Sequence, residues 1–218
     1  SHWIALALAA SHNIVTGDQG LRNEDGWGSS RMIRPIRGGT YGIVGLGRIG
    51  RQAVRMAKGL GMDVIAYDPI QDDDIFGDVE AESVSFDELL TRSDCIALHA
   101  VLNEQTHHIF SSEEFVKMKD SAILVNVARG PLVDEEALVR AVENDEIRAA
   151  GLDVFEEEPP NNSPVLDCDQ IVCSPHHAGS SPAAKRNKIE IVGEELGRCL
   201  RGEALHNVVN KEVFQYRE

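Results

Sequence analysis

The sequence predicts an α/β fold, a doubly wound parallel sheet with helices on both faces. Three observations predict it. From Tyr41 onward, short apolar runs alternate with amphipathic segments. Several of those runs are almost continuously apolar, the pattern of strands covered on both faces. The first of them enters the turn Gly45-Leu-Gly-Arg-Ile-Gly50, a G-x-G-x-x-G spacing between a strand and a helix.

Taken in order, the chain opens with the apolar stretch Ser1–Ile14, and Thr16–Gly39 reads as irregular, rich in Gly, Arg and polar residues. Strands are expected at Tyr41–Val44, Asp63–Tyr67, Cys95–His99, Ala122–Val127, Ala149–Val154 and Ile171–Cys173. Arg51–Leu60 suits the first crossover helix, with Gly61 where a C-terminal glycine ends it. Ser85 with Glu88, and Ser111 with Glu114, have capping-box spacing. Asp134 caps the segment Glu135–Asn144. Ser181 and Pro182 form an N-cap and first-turn pair opening a long helix. Its Ile189, Val192, Leu196 and Leu200 recur at helical spacing before Gly202.

Composition bounds the function. The 218 residues suit one large domain, or one plus a fragment. With 36 acidic against 21 basic side chains, the net charge of −15 argues against nucleic acid or an anionic membrane as partner. The longest apolar run, Trp3–Ala10, is far short of the ~20 residues of a membrane span. Cys95, Cys168, Cys173 and Cys199 show no CxxC pairing and read as ordinary thiols of a reducing compartment, which predicts a cytoplasmic protein. The doublets His107-His108 and His176-His177 are not read as metal sites, because adjacent side chains diverge; no metal is expected. The run Asp72–Asp74 reads as solvated acidic surface.

The glycine turn points to a dinucleotide. Gly45 permits the tight turn, Gly47 lets the backbone approach a pyrophosphate, and Gly50 lets helix and strand pack closely. The N–H groups at the following helix start face the phosphates. Asp68, at the end of the second strand, is placed to bond both ribose hydroxyls and to repel the extra phosphate of NADP, so NAD is the expected cofactor.

In open α/β sheets, ligands bind beyond the carboxyl ends of the strands. Three later strands run there into Arg129, into Glu156-Glu157-Glu158, and into His176. A guanidinium can fork onto a carboxylate and polarise an adjacent carbonyl. A histidine can take the hydroxyl proton as hydride leaves for a nicotinamide, and a carboxylate can orient the imidazole. Together they suit hydride transfer between NAD and a 2-hydroxy acid. Which of the three glutamates orients the histidine, periodicity leaves open.

The segments Gly45–Gly50, Asn126–Asp134, Gly151–Pro159 and Ser174-Pro-His176 resemble the D-isomer-specific 2-hydroxyacid dehydrogenases, a family that includes phosphoglycerate, glycerate and D-lactate dehydrogenases and the C-terminal-binding-protein corepressors. The resemblance runs from about Ser1 to Val209. It implies a Rossmann-type NAD-binding domain and a catalytic trio of Arg129, Glu158 and His176. It also implies that Asp153 bonds the nicotinamide carboxamide, and that Arg48, Ile49, Asn103, Thr106, Val127, Ala128 and Gly179 line the cofactor. Two stretches, 93–108 and 207–211, look more like the corepressor branch, which suggests an NAD(H)-sensing interaction protein as the alternative. The corepressors carry a tryptophan where this chain has Gly179.

The same resemblance implies that an N-terminal substrate lobe precedes the point matching Ser1 and is missing here. The expected organisation is a linking helix and dimerisation arm at 1–38, the NAD-binding domain at 39–180, and a C-terminal helix and tail at 181–218 returning toward that lobe. The expected partners are a small 2-hydroxy or 2-keto acid and a second copy of the chain. An exposed apolar face at Trp3, Leu6 and Ala10 is expected to favour the homodimer.

Overall fold

The computed structural model describes residues 1–23, 27 and 32–210. Two compact units divide the chain, Ser1–Ala178 and Gly179–Glu218.

The first unit is built on seven parallel strands: β1 (Thr40–Val44), β2 (Asp63–Tyr67), β3 (Glu82–Ser83), β4 (Cys95–Leu98), β5 (Ile123–Asn126), β6 (Ala149–Leu152) and β7 (Ile171–Cys173). Their order in the sheet is β3-β2-β1-β4-β5-β6-β7. The chain turns back between β1 and β4, so the crevice that takes ligands in such sheets opens beyond the ends of those two strands. Successive strand residues explain the apolar runs. Ile43, Cys95, Ala97, Ile123 and Val125 enter the core on one face, while Val44, Ile96, Leu98 and Leu124 enter the core on the other.

The helices of this unit are α1 (His2–Ser11), α2 (Ile14–Arg22), α3 (Arg48–Gly59), α4 (Asp73–Val79), α5 (Phe86–Arg92), α6 (Ser112–Lys117) and α7 (Glu135–Glu143). The capping signals correspond to real helix starts. Ser85 accepts from the Glu88 N–H while Glu88 bonds the Ser85 N–H; the Glu114 carboxylate reaches back to the Ser111 N–H; Asp134 accepts from Ala137. Gly61 follows α3 at φ +74, in the left-handed region.

Several expectations need correction. Thr16–Gly39 is not irregular throughout, since Ile14–Arg22 is helical; its remaining residues at 24–26 and 28–31 lie outside the described residues. The apolar face of α1 is not exposed. Trp3, Leu6 and Ala10 are each under 5% exposed, with α1 packed on β5, β6 and β7 and Trp3 stacked on Tyr41. Burying a large apolar side chain contributes about 2 kcal/mol, and the sheet gives α1 that burial within the same chain. Asp72–Asp74 is exposed acidic surface as expected, and it also starts α4, with its negative charge at the positive end of the helix. The two-residue β3 carries too few side chains for a periodic signal, and the strands expected to end at His99, Val127 and Val154 stop one or two residues earlier.

In the second unit, α8 (Pro182–Arg201) begins at Ser181, whose hydroxyl accepts from Ala184, and ends at Gly202 with φ +69. Its apolar row Ile189, Val192, Leu196 and Leu200 is exposed. Among the described residues no helix is long and apolar enough to cross a membrane.

Candidate active site

The glycine turn leaves β1 at Gly45, whose φ of +95 favours glycine and where a Cβ would lie 2.7 Å from the Ala100 nitrogen. At Gly50 a Cβ would meet the Gly45 carbonyl oxygen at 2.1 Å, so α3 can start this close to the turn only without a side chain there. Gly47 differs: nothing lies within 4 Å of its would-be Cβ. It is the N-cap of α3 and makes no side-chain cap bond, which leaves the N–H groups of the first turn facing an open cradle. Asp68, half-buried at the end of β2, accepts from the Leu46 N–H at 2.7 Å and from the Ile70 N–H at 3.0 Å. These residues fit a dinucleotide: open backbone for the phosphates, with a carboxylate fixed beside it.

Arg129, Glu158 and His176 come together on the same edge. Arg129 follows β5, where Asn126 organises the turn by donating to the Arg129 carbonyl at 2.8 Å and accepting from the Ala128 N–H at 3.1 Å. The exposed guanidinium donates to the Ala128 carbonyl. His176 Nδ1 lies 2.7 Å from Glu158 Oε2. That hydrogen bond holds the Glu158 carboxyl below its usual value against the upward push of burial, with the Phe155 N–H and the Arg129 charge adding to it. The three glutamates, equivalent by spacing, are separated here. Glu156 turns instead to the Glu135 N–H and to His108, 3.3 Å away. A mostly apolar recess of about 340 Å³ adjoins the His–Glu pair, lined by Phe155, Pro160, Leu166 and Cys173.

Asp153, just past β6, has no exposed surface. One oxygen accepts from Ser174 Oγ at 2.6 Å and the His177 N–H at 3.0 Å, the other from the Ala178 N–H at 2.8 Å. Burial pushes this carboxyl up, but those bonds and nearby His2 hold it below its usual value. His2 is not among the residues expected in the site, and Ser174 enters the sequence reading only as part of the Ser174-Pro-His176 motif, without a role. His2 lies in an apolar helix and carries no local signal of its contact with Asp153.

The other expected cofactor residues fall in three groups. Arg48 and Ile49 are exposed in the first turn of α3, and Val127 and Ala128 are half-exposed after β5. In a tight turn beyond β4 the Asn103 side-chain oxygen accepts from the Gln105 and Thr106 N–H groups, and the Thr106 hydroxyl donates to the Val101 carbonyl at 2.7 Å. Gly179 belongs to the second unit. Cys95 and Cys173 are pushed by burial to about 12 and about 11, values at which a thiol stays protonated and unreactive.

The chain is 42% identical over 209 residues to the D-3-phosphoglycerate dehydrogenase of Methanocaldococcus jannaschii, an alignment covering 95% of this chain and 40% of that protein. It is 40% identical over 218 residues to the glyoxylate reductase of Korarchaeum cryptofilum, covering 98% and 66% respectively. A crystal structure of a glyoxylate reductase from Paecilomyes thermophila superposes with a TM-score of 0.87 at 34% identity, over 95% of this chain and 63% of that one. The chain thus spans less than two thirds of the length of each. The family described as D-isomer specific 2-hydroxyacid dehydrogenase, NAD binding domain, matches residues 4–178. The chain belongs to the D-isomer-specific 2-hydroxyacid dehydrogenase family, and residues 4–178 are its NAD-binding domain.

Proposed function

We propose that this chain is the cofactor-binding part of an NAD-dependent D-2-hydroxyacid dehydrogenase that interconverts a 2-keto acid and its D-2-hydroxy acid. The 2.7 Å bond between His176 and Glu158, on the strand-end edge that also carries Arg129, is the observation that carries this reading. The bound nicotinamide supplies or accepts the hydride. Arg129 forks onto the substrate carboxylate and polarises the neighbouring carbonyl. With Nδ1 held by Glu158, His176 offers Nε2 as the atom that gives its proton to the forming alkoxide, or takes it in the reverse direction. Glu158, kept ionised, stabilises the imidazolium and fixes the ring. Asp153 would hold the nicotinamide carboxamide, Asp68 the ribose hydroxyls, and the N–H groups at the α3 start the pyrophosphate.

The names of similar proteins span phosphoglycerate, glyoxylate and D-lactate chemistry, which supports a small 2-keto acid as the substrate class. The four free thiols fit a cytoplasmic location. A homodimer remains the proposed assembly on new grounds. The buried α1 face no longer supports it, but Ile14, Leu21, Trp27, Met32 and Ile33 in the arm segment are all more than half exposed. The decisive experiment is a panel of glyoxylate, pyruvate, hydroxypyruvate and phosphohydroxypyruvate assayed with NADH, parent against His176→Ala. Turnover of the best acid that is the same in parent and His176→Ala would reject the proposed chemistry.

A further inference from the structure

The two histidines of the His176-His177 doublet diverge: His176 turns toward Glu158, while His177 lies beside His2, a residue the hydride-transfer reading does not use, and beside Asp153. There it meets His2, the first residue of α1, ring edge to ring face with centroids 4.8 Å apart. His2 Nε2 lies 3.3 Å from Asp153 Oδ1. One donor atom from each of His2, Asp153 and His177 lies within 4.8 Å of the other two. The three residues arrive from separate elements: the start of α1, the end of β6 and the loop after β7.

We propose that His2, Asp153 and His177 form a binding site for a divalent transition-metal ion of the zinc class. Two imidazoles and one carboxylate are the donor set of zinc and of its neighbours cobalt, nickel and copper, whereas magnesium and calcium call for oxygen donors throughout. The distances suit such an ion. Ligand bonds of about 2.0–2.1 Å at tetrahedral angles set neighbouring donor atoms about 3.3 Å apart, which is the His2–Asp153 separation. The remaining closure, from 4.8 Å to that value, amounts to about 1.5 Å. His177 is exposed, and rotation of its side chain supplies that movement.

The carboxylate is already oriented for the purpose, with the His177 and Ala178 N–H groups fixing both oxygens. Ser174, which now bonds Asp153 and touches His2 Nε2 at 2.9 Å, has the Leu152 carbonyl at 3.5 Å as another acceptor when an ion takes its place. The fourth position is left to water. An ion so held ties the first turn of α1 to the ends of β6 and β7, and adds stability that the free protein lacks.

The test uses the whole chain without an affinity tag, stripped with a chelator and titrated with Co²⁺. The parent should develop the visible absorption of four-coordinate Co²⁺, abolished by competing Zn²⁺, and Zn²⁺ should raise its Tm. His177→Ala, a substitution on an exposed loop that leaves the fold intact, should weaken binding by roughly tenfold or more and abolish the Tm shift. His2→Ala should do the same, and His107→Ala, outside the cluster, should do neither. No visible band in the parent, or equal Co²⁺ affinity in the parent and His177→Ala, overturns the site.

Discussion

Asp68 accepts two backbone N–H bonds, from Leu46 and Ile70, and so stands as a fixed negative charge beside the glycine turn. If it also bonds the ribose hydroxyls, Asp68→Ala should weaken NADH binding and narrow the preference over NADPH, because the same charge repels a phosphate. Calorimetry with both cofactors measures this, and unchanged NADH affinity would remove Asp68 from the site. At the reacting end, His176→Ala should lower turnover by about a hundred- to ten-thousandfold, the usual cost of a lost general acid–base. Arg129→Lys should fail as well, since it keeps the charge but loses the fork. Normal kcat/KM for Arg129→Lys on the best 2-keto acid would mean the substrate is anchored elsewhere. Arg129 and His176 were legible as strand-end residues. The choice of Glu158 among three adjacent glutamates was not, because consecutive side chains in a loop have no period to sort them; the fold does so, sending Glu156 to α7 and Glu158 to His176.

Elements were read best where a helix begins with its own chemistry. Asp134 caps α7 through the Ala137 N–H at 2.8 Å, and Asp134→Ala should cost about 1 kcal/mol, read as a lower Tm with cofactor binding retained. The end of β4 carries a second testable group. His99 is half-buried beside Tyr41, and its desolvation pushes the imidazole down to about 4 from 6.5. The unfolded chain takes up a proton near pH 6.5 and the folded chain only near 4. The stability tied to His99 is therefore complete above pH 6.5 and is lost as the pH falls from there toward 4, by up to about 3 kcal/mol. His99→Gln should flatten the pH dependence of urea unfolding across that window; identical slopes for both proteins would assign the effect to another group. By contrast, α2 and β3 were missed. One lies in a polar segment with two glycines, Gly17 and Gly20, where propensity argues against a helix, and the other is only two residues long.

On the scale of the molecule, the reacting groups stand in the open. The side chains of His176 and Glu158 are 51% and 38% exposed, and Arg129 is exposed as well. Hydride transfer needs a substrate held at near-attack distance with water excluded. The chain as it stands should bind NADH yet oxidise it only slowly with glyoxylate, pyruvate or hydroxypyruvate. Steady-state assays on the purified chain decide this, and turnover near the ~10 per second of an ordinary enzyme would show that its own surface closes the site.

The fold class, the glycine turn with Asp68, and the strand ends that carry Arg129 and His176 are legible locally, because each is written in neighbouring residues: an apolar run, a spacing of glycines, a polar group at a strand terminus. Tertiary structure alone decided whatever joins distant parts of the chain. It buried the α1 face against β5, β6 and β7, although an apolar helix read in isolation is equally suited to a partner subunit. It also brought His2 to Asp153 and His177. Local pattern records which side chains share a face of an element, whereas the contacts between elements follow from how the sheet orders its strands, and no periodicity in one segment encodes its neighbour.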